Sequence, residues 1–408
     1  MSCLIRNGFA LLFVCLAYSG MASWQWTKVH ALDNGKRFEA TGFSINGKGY
    51  VTCGVDTNDN CYNDLWEYDA DFNFWTQKAN LPATYRRGAF AFELNNKGYL
   101  GSGIDDASPS LGTILTDLWM YDPATNTWSI KAPIPSGSFR SAFASCNGKG
   151  YVIGGSDTFS GTSSVYEYNP TTNSWQTKNS FPGLPSSSGG RDGGVALSIN
   201  NKVYFGMGKD DSFFQNDWWE FDPATNNWVQ KANYPVTGRI GAFAFTINNM
   251  GCVGMGSDGA YNSDTWWYNP ASNTWNYTTS FSGAARRSPA YFVIGSAAYM
   301  GTGKSGGGSK QDFYRLDASV GIAESTAKPH TINVYPSLVT GDHFHVDAPS
   351  ENDILKIVVT DMEGRTVKTI DMTGTGVDVE KGDMRQGVYV ISVWKGFGLF
   401  GYEKITVL

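Results

Sequence analysis

The sequence predicts an all-β chain: one four-stranded unit repeated six times, followed by a small β-sandwich. Three observations predict it. Tryptophan returns in one phase at Trp26, Trp75, Trp128, Trp175, Trp228 and Trp275, at spacings of 49, 53, 47, 53 and 47 residues. The chain holds 48 glycines and 14% aromatics but only 17% charged residues, a balance that suits short strands and tight turns. After Asp317 the repeat stops and a different alternating pattern runs to Leu408.

Residues 1–22 come first. Arg6, an apolar run from Phe9 to Tyr18 and small residues at Ser19, Gly20 and Ala22 read as a signal peptide, too short to cross a bilayer. No later stretch is long and apolar enough for a transmembrane helix. The net charge of −6 argues against nucleic acid as a partner, because phosphate binding needs a positive field.

Each period of residues 23–318 has the same parts. An arginine precedes a small and apolar run, as in Arg86-Arg-Gly-Ala-Phe-Ala-Phe92 and Arg239-Ile-Gly-Ala-Phe-Ala-Phe245. An Asn/Gly/Lys turn leads to a tyrosine strand that ends in glycine, as in Gly150-Tyr-Val-Ile-Gly-Gly155. A third strand follows, as in Asp117-Leu-Trp-Met-Tyr-Asp122, and a Pro-x-x-Asn turn carries the chain to the phase tryptophan. These units resemble kelch motifs, and the resemblance implies a six-bladed kelch-type β-propeller. The last unit has no tryptophan strand after Asp312-Phe-Tyr-Arg-Leu-Asp317, and one spare tryptophan strand lies at the N-terminus. The expectation is that the N-terminal strand completes the last blade and closes the ring, leaving no open edge.

Residues 319–329 read as a linker and residues 330–408 as a β-sandwich. Val334-Tyr335-Pro336, Asp361-x-x-Gly364-Arg365, Gly387-Val-Tyr389 and the basic-apolar Lys404-Ile405 resemble the C-terminal sorting domain of the bacterial type IX (Por) secretion system. Ser337 stands where that family usually has Asn. The resemblance implies a secreted or outer-surface protein of a Gram-negative bacterium, with the type IX machinery as a partner.

Absences bound the chemistry. The only histidines are His30, His330, His343 and His345, so the repeats between Arg37 and Asp317 have no Ser-His-Asp triad and no His-ligated metal. His343 and His345 alternate on one strand face of the tail and read as solvated. No dinucleotide or phosphate-loop glycine pattern occurs, and no cofactor is expected. Cys53 and Cys61 flank a short Asp/Asn loop and are candidates for a disulfide; the alternative is separate buried thiols, as Cys146 and Cys252 are read.

The tryptophans read as packing, because they hold one repeat position. Phe213-Phe214 lies in a loop and reads as a contact surface or as a loop packed on itself. The most informative pattern is charged. Arg37, Arg86, Arg191, Arg239 and Arg286 share one place before the first strand, with Phe139 at that place in the third unit and Arg140 after it. Asp56, Asp105, Asp157, Asp210 and Asp258 fall after the glycine run, where the sixth unit has Ser305. The expectation is two neighbouring rings at one channel mouth, either pinning the loops or forming a funnel for an anionic or sugar ligand. Arg286 and Arg287 are expected to be the least compensated.

Two functions follow, and a third reading is a structural surface protein with no small ligand. The first is a non-catalytic module that binds a protein or a glycan. The alternative is a sugar-modifying enzyme of the sialic acid mutarotase type, in which these arginines hold a carboxylate and a carboxylic acid such as Glu39 or Glu93 moves the proton.

Overall fold

The computed structural model describes residues 23–105, 112–157, 160–183, 190–319, 332–348, 354–361, 366–395 and 398–408. It forms two compact units, Met1–Gly321 and Ile322–Leu408. The signal-peptide reading, most of the linker and the turn containing Gly364 lie outside the described residues.

Among the described residues, the first unit holds six four-stranded antiparallel sheets and no helix. The first sheet shows the pattern: Thr41–Ile45, Lys48–Thr52, Leu65–Asp69 and Phe74–Lys78, in that order. The inner strands of the other five are Phe90–Leu94, Ala142–Cys146, Val195–Ile199, Phe243–Ile247 and Ala290–Ile294. In the sixth sheet the outer strand is Ser23–Val29, paired along Phe313–Ser319 with Trp26 opposite Leu316. The N-terminal strand therefore fills the place that the last repeat leaves empty.

Buried clusters run between sheets rather than within them. Phe43 and Leu65 of the first sheet pack with Ala91 and Leu100 of the second, and the same holds around the circle to Phe292 and Phe313 of the sixth against Val51 and Tyr68 of the first. Glycine permits this. A Cβ on Gly98 would stand 2.3 Å from the Phe43 ring, so the tyrosine strand needs glycine where the neighbouring sheet's phenylalanine lies across it.

The phase tryptophans latch each sheet to the one before it. Trp128 Nε1 donates to Ala79 O at 2.8 Å and Trp175 Nε1 to Ala132 O at 2.9 Å. The turn asparagines do the same work: Asn126 Oδ1 accepts from Tyr121 Oη at 2.9 Å and from the Ala79 amide at 2.9 Å. At the closing sheet the Trp26 indole is buried without a hydrogen-bond partner among the described residues.

In the second unit, Asn333–Tyr335, His343–Asp347 and Gly376–Glu380 form one sheet. Leu338–Val339, Gly398–Val407, Gly387–Lys395, Ile354–Asp361 and Thr366–Thr373 form another. Phe344 and Val346 of the first share a core with Ile357, Ile391 and Val407 of the second.

Candidate functional site

The repeated arginines are pins, not a funnel. Arg37, Arg86, Arg191, Arg239 and Arg286 are all fully or almost fully buried. Each reaches outward, away from the channel, to the aspartate that opens the third strand of its own sheet. Arg86 Nη1 and Nη2 donate to Asp117 at 2.5 and 2.7 Å, and Arg191 to Asp217 at 2.5 and 3.0 Å. Arg286 donates to Asp312 at 2.7 and 2.9 Å, so it is compensated, contrary to the expectation for it. Arg37 donates to Asp64 at 2.6 and 2.8 Å and Arg239 to Asp264 at 2.5 Å. Each Nη1 also caps the carbonyl that ends the second strand, as Arg191 caps Met207 O at 2.7 Å. Trp66, Trp119, Trp219 and Trp266 complete the unit by donating to the same aspartates at 2.7–2.8 Å. Burial alone would raise the carboxyls of Asp117 and Asp312; the guanidiniums outweigh it and hold both below the usual carboxylate range.

The aspartates expected to face these arginines cap loops instead. Asp56 accepts from the Asn58 and Asn60 amides at 2.7 and 2.9 Å, and Asp210 from the Ser212 and Phe213 amides at 2.9 and 2.6 Å. Asp105, Asp157 and Asp258 accept from Thr113, Ser160 and Ala260 amides. The third sheet also shifts by one residue. Ser138, not Phe139, holds the arginine's place, as the bridges Phe38–Val55, Arg87–Ile104 and Phe139–Ser156 show. Its hydroxyl lies 2.6 Å from Ser141 Oγ and donates to Gly154 O at 3.2 Å, the carbonyl equivalent to those that the arginines cap.

Cys53 and Cys61 are not bridged to each other in this structure. Cys53 ends its strand at φ 63° with its sulfur buried 3.4 Å from Thr52 Oγ1, and burial pushes the thiol up to about 11.

The channel mouth is built two residues after each pin. Glu39, Gly88, Arg140, Gly193, Gly241 and Ser288 occupy equivalent places, all with φ between 51° and 62°. Their backbones hydrogen-bond head to tail around the opening. The Gly88 amide donates to Glu39 O, Arg140 to Gly88 O, Glu39 to Ser288 O, Ser288 to Gly241 O and Gly241 to Gly193 O, at 2.7–3.1 Å. Between Arg140 and Gly193 the link is a side-chain ion pair instead, Arg140 Nη2 to Asp192 Oδ2 at 2.9 Å. Left-handed backbone suits glycine and is strained for other residues. Glu39, Arg140 and Ser288 bear that strain where their side chains line the channel cavity.

Glu39 and Arg140 line that cavity; Arg87 pairs with Glu39, Asp192 pairs with Arg140, and Arg287 lies within electrostatic reach of both carboxyls. Glu39 is buried, paired with Arg87 and 3.9 Å from Arg140 Nη1. Burial would raise its carboxyl, but Arg140, Arg87 and Arg287 together hold it below the usual range. Asp192 goes the other way: burial pushes it up, Glu39 adds to the rise, and Arg140 offsets only part. Asp192 Oδ1 and Arg140 Nε are buried without hydrogen-bond partners among the described residues. Among the described residues Arg287 makes no side-chain hydrogen bond or ion pair. The unsatisfied Nε of the cavity-lining Arg140 points to a ligand that completes it.

Of the seven arginines singled out in the sequence, Arg140 and Arg287 reach the mouth. Arg87 and Asp192 were missed. Their signal was the broken glycine column at Glu39, Arg140 and Ser288 and the charges beside it. Glu93 lies toward the other end of the channel, where it accepts from the Asn96 amide at 2.6 Å. Phe213 is 71% exposed on its loop.

In the second unit, Tyr335 stacks on His345 with ring centroids 5.1 Å apart. His345 bridges Asp378 at 2.5 Å and Asp347 at 3.0 Å. Gly387 opens a strand, Tyr389 is buried with its hydroxyl on Arg385 O at 2.8 Å, and Lys404 is exposed. Pro336 follows the short strand Asn333–Tyr335.

Residues 130–303 match the KLHDC2/KLHL20/DRC7 Kelch-repeats domain. Kelch-like protein 25 of Xenopus tropicalis is 29% identical over 251 residues, 60% of this chain and 41% of that protein. An N-acetylneuraminate epimerase of Haemophilus influenzae (strain 86-028NP) is 32% identical over 136 residues, 33% of this chain and 31% of that protein. The chain spans less than half the length of these curated relatives. The solved structure of YjhT superposes with a TM-score of 0.60 at 18% identity, over 71% of this chain and 97% of that one, a likeness of fold. The repeated antiparallel sheets and these matches support a kelch-repeat domain over residues 130–303.

Proposed function

We propose that the chain is an exported six-bladed kelch propeller whose channel mouth takes a small carboxylate-bearing sugar and interconverts its anomers. The observation that carries this reading is the cluster of Arg87, Arg140 and Arg287 around Glu39 and Asp192. Three guanidiniums against two carboxyls leave a cation excess, and planar donors suit a carboxylate. Arg140 and Arg287 hold that carboxylate. Glu39, the carboxyl that lines the cavity, takes the proton of the anomeric hydroxyl as the ring C–O bond breaks and hands it to the ring oxygen. Reclosure on the other face reverses both transfers. The N-acetylneuraminate epimerases among the relatives support the sugar class.

Calorimetry of N-acetylneuraminate on the full chain tests this reading. Saturable binding that weakens at least about tenfold in Arg140→Ala is expected, as for loss of a charge-assisted bidentate contact. Absence of binding, or binding indifferent to Arg140→Ala, overturns it.

The exposed Phe213 favours a second reading, in which the loops around the mouth grip a protein or a glycan chain. Export rests on residues 1–22 as a signal and on the C-terminal unit as a type IX sorting domain that engages that machinery. In a host with that system, removal of residues 319–408 is expected to keep the chain inside the cell envelope. Undiminished secretion contradicts the proposal.

A further inference from the structure

The channel is not of even bore. The second residue of each inner strand is Gly42, Ala91, Phe143, Ala196, Ala244 or Tyr291. Four of the six are glycine or alanine. The two large ones come from the third and sixth sheets, which face each other across the circle of sheets. Their rings lie parallel, with centroids 6.5 Å apart and planes inclined by 6°. Both residues line the cavity that holds Glu39 and Arg140, and both line the cavity on the other side with Glu93, Ser145 and Thr246. The pair thus divides the channel into two chambers.

The division is apolar and stays so. Burial pushes the Tyr291 hydroxyl up to about 12, with a backbone contact at Ala244 pulling the other way, so the phenol is neutral across the physiological range. Phe243 packs against Tyr291 at 6.4 Å and steadies it. The same chamber is therefore charged at its rim and aromatic at its base. A ligand that fits it carries an anionic end and an apolar end.

We propose that Phe143 and Tyr291 form the floor of the ligand chamber and set the size of the apolar group that the ligand can bring into it. This inference rests on the anion-site reading above. An acylamino substituent is the chemical class that fits: a planar amide with a short alkyl cap against the rings. Each alkyl carbon beyond the floor has to displace an aromatic side chain held by its neighbours.

The test is a size series on the full chain by calorimetry, with N-acetylneuraminate and N-pentanoylneuraminate as probes. The unmodified chain is expected to prefer the acetyl form by about tenfold or more, the usual reach of an apolar pocket that rejects extra methylenes. Phe143→Ala combined with Tyr291→Ala is expected to bring the two affinities within about threefold. Phe143→Leu, a smaller perturbation of the fold, is expected to shift the ratio in the same direction. Equal affinities in the unmodified chain, or a preference that persists in both variants, overturns the floor while leaving the anion site standing. Failure of the unmodified chain to bind either sugar removes the anion site and the floor together.

Discussion

Arg286 and Arg287 are neighbours in sequence and opposites in structure. Arg286 is fully buried, faces away from the channel and meets Asp312 through both nitrogens. Arg287 is half-buried near the mouth, with Glu39 and Asp192 in its field and no side-chain partner among the described residues. The same divide separates the whole layer of pins from the mouth cluster. In the pins every guanidinium has its own carboxylate, and the arrangement repeats from sheet to sheet. At the mouth three guanidiniums share two carboxyls, and the repeat is broken. Repetition marks the groups that hold the ring together; departure from it marks the groups available to a ligand.

The comparison can be broken most forcefully at a pin. Asp217 and Arg191 are both fully buried, so Asp217→Ala leaves an uncompensated charge inside the fold. A loss of about 3–5 kcal/mol in unfolding free energy is expected, read by thermal or urea denaturation. At the mouth the effect should fall on function instead. Arg140→Ala is expected to raise the KM for the sugar at least about tenfold, the scale of losing a charge-assisted contact to its carboxylate. Its melting temperature should fall less than in the pin variant, because Glu39 keeps its pair with Arg87 and the Arg140–Asp192 pair is only partly buried. Equal loss of stability in the two variants would erase the distinction between the layers.

A smaller effect sharpens the account of the ring itself. Trp128→Phe keeps the packing but removes the hydrogen bond to Ala79 O, and about 1 kcal/mol of stability should go with it. The pH dependence is finer still. The folded pKa of Glu39 lies below its unfolded value, so its contribution to stability is present above the unfolded carboxylate range near 4.3. That contribution is lost as pH falls through the folded value. Asp192 has the opposite sign: its folded pKa is raised, so its contribution is present at low pH and lost as pH rises through the folded value. Stability profiles of Glu39→Gln and Asp192→Asn should therefore diverge from the parent in opposite directions.

The fold was legible because the tryptophan phase and the glycine-tyrosine strands are packing devices that recur in every sheet. The pairing of Ser23–Val29 with Phe313–Ser319 was legible from one missing strand at one end and one spare strand at the other. The site was harder. Each unit offers two aspartates, one after the glycine run and one before the third strand, and spacing alone did not say which one the arginine meets. The second wins because a buried guanidinium needs a carboxylate at the sheet, whereas Asp56 and Asp210 have amides of their own loops to accept from. The third sheet, with Ser138 in place of an arginine, shifted the alignment by one and hid Arg140's true place in the glycine column. Glu39 was noticed as an acid. Its role at the mouth needed the left-handed backbone ring, which no local pattern displays.

The account stands or falls on whether the mouth cluster acts on a sugar acid while the pins do not. Exchange-spectroscopy NMR of N-acetylneuraminate anomers in the presence of the full chain measures this directly. The account predicts faster anomer exchange that is abolished in Arg140→Ala combined with Arg287→Ala and kept, per folded molecule, in Trp128→Phe. Exchange at the uncatalysed rate with the unmodified chain, or acceleration that survives loss of both mouth arginines, would contradict it.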